Sequence, residues 1–105
     1  MPDSAEPQIG YHVPACVGMS VDEVQTPSLL IDLDAFEANL VRMRQLAADS
    51  QIQLRAHAKM HKSVDVSRRQ MEIGGAIGIC CQKVSEAEVF ARAGFDNILI
   101  TNQVC

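Results

Sequence analysis

Apolar runs of strand length begin near residues 28, 52, 76 and 97, about 24, 24 and 21 residues apart, a rhythm that describes successive βα units in a parallel sheet. Ser28-Leu29-Leu30-Ile31-Asp32-Leu33, opened by Thr26-Pro27, reads as the first strand. Asp34 and Glu37 have the spacing of a capping box, which predicts a helix from Ala35 to about Ala48. Phe36, Leu40, Met43 and Ala47 then fall on one buried stripe. Gln51 to Ala58 is the second strand. Ser63 caps a weaker helix that continues to Ile73 and stops at Gly74-Gly75. Ala76-Ile77-Gly78-Ile79-Cys80-Cys81 is continuously apolar, the pattern of a strand covered on both faces. Ser85-Glu86-Ala87-Glu88 resembles a second capping box and opens a helix ending at Gly94, after which Asn97 to Thr101 is the fourth strand.

Residues 1–25 carry Pro2, Pro7, Pro14, Gly10 and Gly18 without sustained periodicity and read as an irregular lead-in, so the βα units occupy 26–105. An open doubly wound sheet and part of an eight-stranded barrel both fit this order. No Gly-rich phosphate fingerprint follows any of the runs: Gly74-Gly75 precedes one and Gly78 lies within it. The expected fold class is therefore α/β, a partial (β/α) barrel of TIM type. A complete barrel takes about 250 residues, and this chain has 105, its last run followed by no helix. We expect the first part of something longer, inactive and poorly behaved alone because an unpaired strand edge and an apolar face would be left uncovered.

Composition narrows the partners. The formal net charge is -4 and basic runs are scarce, which argues against nucleic acid, since phosphate neutralisation needs clustered Lys and Arg. Apolar stretches are a few residues long, far short of the roughly 20 that span a bilayer, and the acidic start Met1-Pro2-Asp3-Ser4-Ala5-Glu6 does not read as a signal peptide. Of the cysteines at 16, 80, 81 and 105, the adjacent pair sits inside an apolar run. They read as small packing residues in a reducing cytosol rather than a disulfide framework or a metal site.

The chemistry concentrates in Arg55-Ala56-His57-Ala58-Lys59-Met60-His61-Lys62. Strand alternation sends Arg55, His57 and Lys59 to one face and Ala56 and Ala58 to the other. Such a polar face needs water or a ligand to satisfy it. In a parallel βα sheet the ligand lies beyond the carboxyl ends of the strands, where Lys59 falls. Burial and a neighbouring cation such as Arg55 or Lys62 would make its amine nucleophilic. The plain alternative is a solvated lysine in a strand-to-helix loop. His57 and His61 have metal-ligand spacing only if both lie on one helix. They straddle a strand end instead, so no metal ligand is assigned.

Four segments carry a family resemblance: Thr26-Pro27-Ser28-Leu29-Leu30-Ile31-Asp32-Leu33-Asp34, Arg55 through Ser63, Cys80-Cys81-Gln82-Lys83-Val84-Ser85-Glu86-Ala87-Glu88, and Ile98-Leu99-Ile100-Thr101-Asn102. Together they resemble the N-terminal part of the D-threonine aldolase and 3-hydroxy-D-aspartate aldolase group, relatives of eukaryotic-type D-serine dehydratase and alanine racemase. The resemblance covers most of the chain after residue 10. It implies a fold-type III pyridoxal-phosphate barrel, with Lys59 rather than Lys62 as the lysine that carries pyridoxal 5′-phosphate and Gln82 against the cofactor. His57 joins them as a candidate cofactor neighbour. The family usually has Pro where this chain has Ala56, which loosens the turn and leaves the lysine in place. Lys59 through Val66 and Gly10-Tyr11-His12-Val13-Pro14 look most like the 3-hydroxyaspartate branch.

The resemblance further implies retro-aldol cleavage of a D-configured β-hydroxy-α-amino acid to glycine and an aldehyde. A divalent ion of Mg or Mn type assists, with its ligands outside this chain, in a cytoplasmic homodimer. D-Serine dehydratase or an amino-acid racemase on the same scaffold is the nearest rival; a pyridoxal-phosphate carrier and a small βα binding module are rivals of another class. Aldehyde with glycine, keto acid with ammonia, or the mirror-image amino acid would separate the enzymes.

Overall fold

A computed structural model describes residues 6–105. They form two compact units, one ending at Ile31 and the other comprising Asp32–Cys105. The first is irregular apart from a 3-10 turn at Val21–Glu23. The Glu23 carboxylate accepts the Ser20 N–H at 2.8 Å at the start of that turn. Gly10, at φ +84°, supplies the left-handed residue of a tight turn in which the His12 N–H donates to the Gln8 carbonyl at 2.8 Å.

The second unit runs α1 (Leu33–Asp49), β1 (Arg55–His57), α2 (Val64–Glu72), β2 (Gly78–Cys81), α3 (Val84–Arg92) and β3 (Ile98–Ile100). The strands form one parallel sheet in the order β1-β2-β3, with Arg55 opposite Gly78, His57 opposite Cys80, and Cys80 opposite Leu99. Sequence neighbours are therefore sheet neighbours, joined by helical crossovers as parallel strands must be.

The expected strand at 28–33 does not form. Residues 28–32 have no regular structure, and Leu29, Leu30 and Ile31 are all exposed. An apolar run of this length is compatible with a strand but becomes one only when a partner completes its ladder. The sheet consequently has three strands where four were expected. The helix after this run starts earlier than expected, because Asp32 and not Asp34 is the N-cap: its carboxylate accepts the Ala35 N–H at 3.0 Å. Along α1, Leu40 and Ala47 are buried and Phe36 is half-buried, but Met43 is exposed. The buried stripe is narrower than the one expected, and Met43 stands at its margin.

At α2 the cap is the expected one, with Ser63 Oγ accepting the Val66 N–H at 3.3 Å, and Gly75 at φ +70° follows the helix end. At α3 the N-cap is Lys83 rather than Ser85. A lysine side chain has no acceptor to offer, so only half of a capping box is made: the Glu86 carboxylate accepts the Lys83 N–H at 2.9 Å. Gly94, at φ +94°, follows the end of that helix.

The core lies between the sheet and its helices. Ala58, Ile79, Cys81, Ala87 and Phe90 are buried together, with Val64, Met71, Phe95, Ile98 and Ile100 packed around them. Phe90 is 1% exposed and meets Phe95 edge-on at 5.4 Å between ring centroids. Every residue of β2 is buried, as its continuous apolar run predicts. All four cysteines are free, with Cys80 and Cys81 buried and Cys16 and Cys105 exposed. Among the described residues no helix is long and apolar enough to cross a membrane.

Candidate active site

Period-2 alternation divides the sheet. Ala56, Ile79, Cys81, Ile98 and Ile100 point to the helix-covered face, which leaves Arg55, His57, Gly78, Cys80 and Leu99 on the other. Because the strands are parallel, their carboxyl ends lie side by side. That edge carries, in sheet order, Lys59 in the turn after β1, Gln82 directly after β2 and Thr101 directly after β3.

Lys59 is exposed, not buried as expected. The strand ends at His57, and Lys59 stands in the turn that follows rather than on the pleat. Arg55 lies at the opposite, amino end of β1, and part of its polar demand is met from within the protein: Nη1 donates to Oδ1 of Asn97 at 2.6 Å and to the Asn97 carbonyl at 3.2 Å. The protein thus engages one of the three guanidinium nitrogens, and the rest of the polar demand on this face is left to solvent or a ligand.

Backbone bonds define the turn around Lys59. The Ala58 N–H donates to the Cys80 carbonyl at 2.8 Å, extending the ladder past β1, and the Lys62 N–H closes back onto the Ala58 carbonyl at 2.9 Å. Lys62 adopts φ +51°, a left-handed conformation rare for a side chain of its kind. Both histidines of the segment hold a backbone N–H two residues on. Nδ1 of His57 accepts from the Lys59 N–H at 3.1 Å, and Nδ1 of His61 accepts from the Ser63 N–H at 2.9 Å.

A neutral imidazole with Nδ1 as acceptor carries its proton on Nε2. Nε2 of His57 therefore donates to Oγ1 of Thr101 at 2.9 Å, and the Thr101 hydroxyl donates onward to the Cys81 carbonyl at 3.3 Å. Nε2 of His61 points to Oε1 of Gln70 at 3.3 Å. Half-burial pushes the His61 pKa down from the ordinary 6.5, opposed by the bond to Gln70. Burial likewise pushes the Cys81 thiol up from 9.0, with the Glu86 carboxylate and Cys80 adding to the effect.

The exposed amine of Lys59, the oriented imidazole beside its backbone and the half-buried amide of Gln82 form a donor set suited to a carbonyl-bearing ligand: an amine to condense and polar groups to line it. Metal is a different matter. Among the described residues no three His, Cys, Asp or Glu side chains group as ligands, and both nitrogens of His57 and of His61 are already engaged. Thr101 and Asn97 escaped the sequence reading. Their signal was there, since each is the polar residue at one end of the apolar run Ile98-Leu99-Ile100, but which groups they would meet was not.

Comparison with known proteins supplies the family. The model of the alanine racemase N-terminal domain matches residues 31–104. The chain is 52% identical over 97 residues to the 3-hydroxy-D-aspartate aldolase of Paracoccus denitrificans, covering 92% of this chain and 25% of that protein. Among solved structures it superposes on the D-threonine aldolase of Filomicrobium marinum with TM-score 0.84 and 50% identity, over 89% of this chain and 25% of the other. The D-threo-3-hydroxyaspartate dehydratase of Delftia sp. follows at TM-score 0.74 and 38% identity, over 78% and 21%. The chain thus spans about a quarter of the length of the curated aldolase it matches. With three parallel strands, the helices that join them and a domain match over residues 31–104, the chain belongs to the alanine racemase N-terminal domain family, an α/β fold of type III.

Proposed function

We propose that this chain is the lysine-bearing portion of a pyridoxal-phosphate-dependent aldehyde lyase that cleaves D-configured β-hydroxy-α-amino acids, of 3-hydroxy-D-aspartate or D-threonine type, to glycine and an aldehyde. The observation that carries the reading is the place of Lys59: an exposed amine at the carboxyl edge of a parallel sheet, where βα folds bind ligands, in a chain 52% identical to a 3-hydroxy-D-aspartate aldolase. Pyridoxal phosphate, when bound, supplies an electron sink for bond cleavage at the substrate's α-carbon.

The protein's own residues divide the remaining work. Lys59 presents the amine that holds the cofactor's aldehyde carbon. His57 holds the Lys59 backbone through Nδ1. Gln82, at the end of the neighbouring strand, offers both a donor and an acceptor to the cofactor ring. The described residues do not make a metal site, so no step here runs through a metal; a divalent ion belongs to the reading only with ligands supplied from outside this chain. A cytoplasmic homodimer completes the proposal.

Dehydration is the second reading, supported by the likeness to the Delftia dehydratase. It keeps Lys59 and changes the products. To test both, the protein carrying this sequence is loaded with pyridoxal phosphate, reduced with borohydride and digested. A pyridoxyl group on the peptide containing Lys59, absent from Lys59→Ala, is the expected result, and the same label on Lys62 would move the assignment. Glycine with glyoxylate or acetaldehyde identifies the aldolase; a keto acid with ammonia identifies the dehydratase.

A further inference from the structure

We infer that His57 and Thr101 act together as positioning residues for Lys59, a relay across the carboxyl edge that sets the backbone from which the amine projects. The inference rests on the assignment of Lys59 as the cofactor lysine. Its material is a continuous run of hydrogen bonds from Lys59 N–H to His57 Nδ1 at 3.1 Å, His57 Nε2 to Thr101 Oγ1 at 2.9 Å, and Thr101 Oγ1 to the Cys81 carbonyl at 3.3 Å.

The direction of each bond follows from the donors and acceptors present. The backbone N–H of Lys59 can only donate, and the Cys81 carbonyl can only accept. Between them, a neutral imidazole and a hydroxyl each have one proton to pass in the same sense. The orientation of the whole chain is thus determined at both ends, and the Nε2–H tautomer of His57 is the one that satisfies it.

Sequence separation makes the arrangement more than local turn chemistry. His57 and Lys59 are two residues apart, but Thr101 lies 44 residues on from His57. Thr101 is itself tied to β2 by its N–H, which donates to the same Cys81 carbonyl at 2.9 Å. The ends of all three strands are therefore joined at the point where the amine leaves the fold. His57 is exposed, so packing does not hold its ring. The hydrogen bond to Thr101 does. An amine that must meet a carbonyl carbon within a narrow geometry gains rate from such restraint on its backbone.

The test uses the protein carrying this sequence. Thr101→Val removes the hydroxyl at nearly constant shape, and Thr101→Ser restores it. His57→Phe removes both ring nitrogens. His57→Asn keeps an acceptor for an N–H two residues on, as Asx turns do. Two quantities are read: amide hydrogen exchange at Lys59, which needs no cofactor, and the rate at which Lys59 captures pyridoxal phosphate, fixed by borohydride and located by mass.

Exchange at Lys59 is expected to speed up and capture to slow by about tenfold in Thr101→Val and His57→Phe, the worth of one or two hydrogen bonds. Thr101→Ser should return both quantities to the parent values, and His57→Asn, which keeps the acceptor but loses the link to Thr101, should recover them in part. The parent histidine should show a protonated Nε2 in nitrogen-15 spectra. Unchanged exchange and capture in Thr101→Val and His57→Phe, with the label still on Lys59, would overturn the relay alone. A parent protein whose label lies on another lysine would overturn the Lys59 assignment instead. If Thr101→Val unfolds, the His57→Phe and His57→Asn pair decides: equal slowing in both would overturn the role given to the Lys59 N–H.

Discussion

The guanidinium of Arg55 reaches Asn97 across β2, with Nη1 2.6 Å from the Asn97 Oδ1, and it passes over the one position in that strand that has no side chain. A Cβ built on Gly78 would fall on the Asn97 carbonyl oxygen and 2.6 Å from Arg55 Nη1. The same oxygen accepts the Ile79 N–H at 3.0 Å, and Asn97 Nδ2 donates to the Ile77 carbonyl at 3.0 Å. Gly78 is thus the gap that lets a half-buried cation reach Asn97 at the amino end of the sheet, while His57 and Thr101 are joined at the carboxyl end.

Gly78→Ala should therefore be severely destabilising, by about 3 kcal/mol or more, because the atom it meets is backbone and cannot turn aside. Asn97→Ala should cost less, about 1–3 kcal/mol, as an Arg that loses a partner in a half-buried place. Urea unfolding of the protein carrying this sequence measures both. A Gly78→Ala variant of parent stability would contradict the close approach described.

Truncating Phe90 tests the core. The ring is 1% exposed and packs edge-on against Phe95. Phe90→Ala should cost about 3–5 kcal/mol, and Phe90→Leu markedly less, since Leu keeps most of the apolar volume. Equal losses from the two would mean that ring geometry outweighs volume.

Ser67 offers a change in the other direction. It is fully buried in α2, and its hydroxyl has no hydrogen-bond partner among the described residues. Ser67→Ala removes an unsatisfied polar group at almost no cost in volume, so a gain of about 1 kcal/mol in unfolding free energy is expected. A loss of similar size would show that the hydroxyl is satisfied after all.

The stability of the turn after β1 should depend on pH through His61. Its folded pKa lies below 6.5 because half-burial disfavours the charged ring, so the unfolded chain binds a proton more readily. The contribution is fully present above about pH 6.5 and is lost as pH falls through that value and then through the lowered folded one. The protonated ring also has no lone pair left at Nδ1 for the Ser63 N–H. Unfolding midpoints measured from about pH 8 down to pH 5 should fall, and the part of that slope due to this residue should vanish in His61→Asn. An identical slope in the variant would assign the effect elsewhere.

The cysteines should divide by exposure. Cys16 and Cys105 are exposed, whereas Cys80 and Cys81 are buried and Cys81 is held protonated by its surroundings. A thiol reagent at neutral pH should label Cys16 and Cys105 quickly and Cys80 and Cys81 only on unfolding. Fast labelling of Cys81 would show that β2 is not covered on its helix side.

Local chemistry determined much of this protein directly from its sequence. Ser63 caps α2, Gly94 follows the end of α3 and the last four residues of the apolar run to Cys81 become the central, fully buried strand, because caps, glycine turns and alternation act within a few residues. The alternation that sends His57 and Arg55 to one face and Ala58 to the core is legible in the same way. Tertiary structure decided the rest. Leu29-Leu30-Ile31 looks as strand-like as Ile98-Leu99-Ile100, yet only the second has a neighbour to complete its ladder. Asp32 and Asp34 are equally good caps on paper, and it is the Asp32 carboxylate that takes the Ala35 N–H. Arg55 found Asn97, and His57 found Thr101, across separations of 42 and 44 residues. Such pairings depend on strand order and register, which hydrophobic pattern alone does not encode.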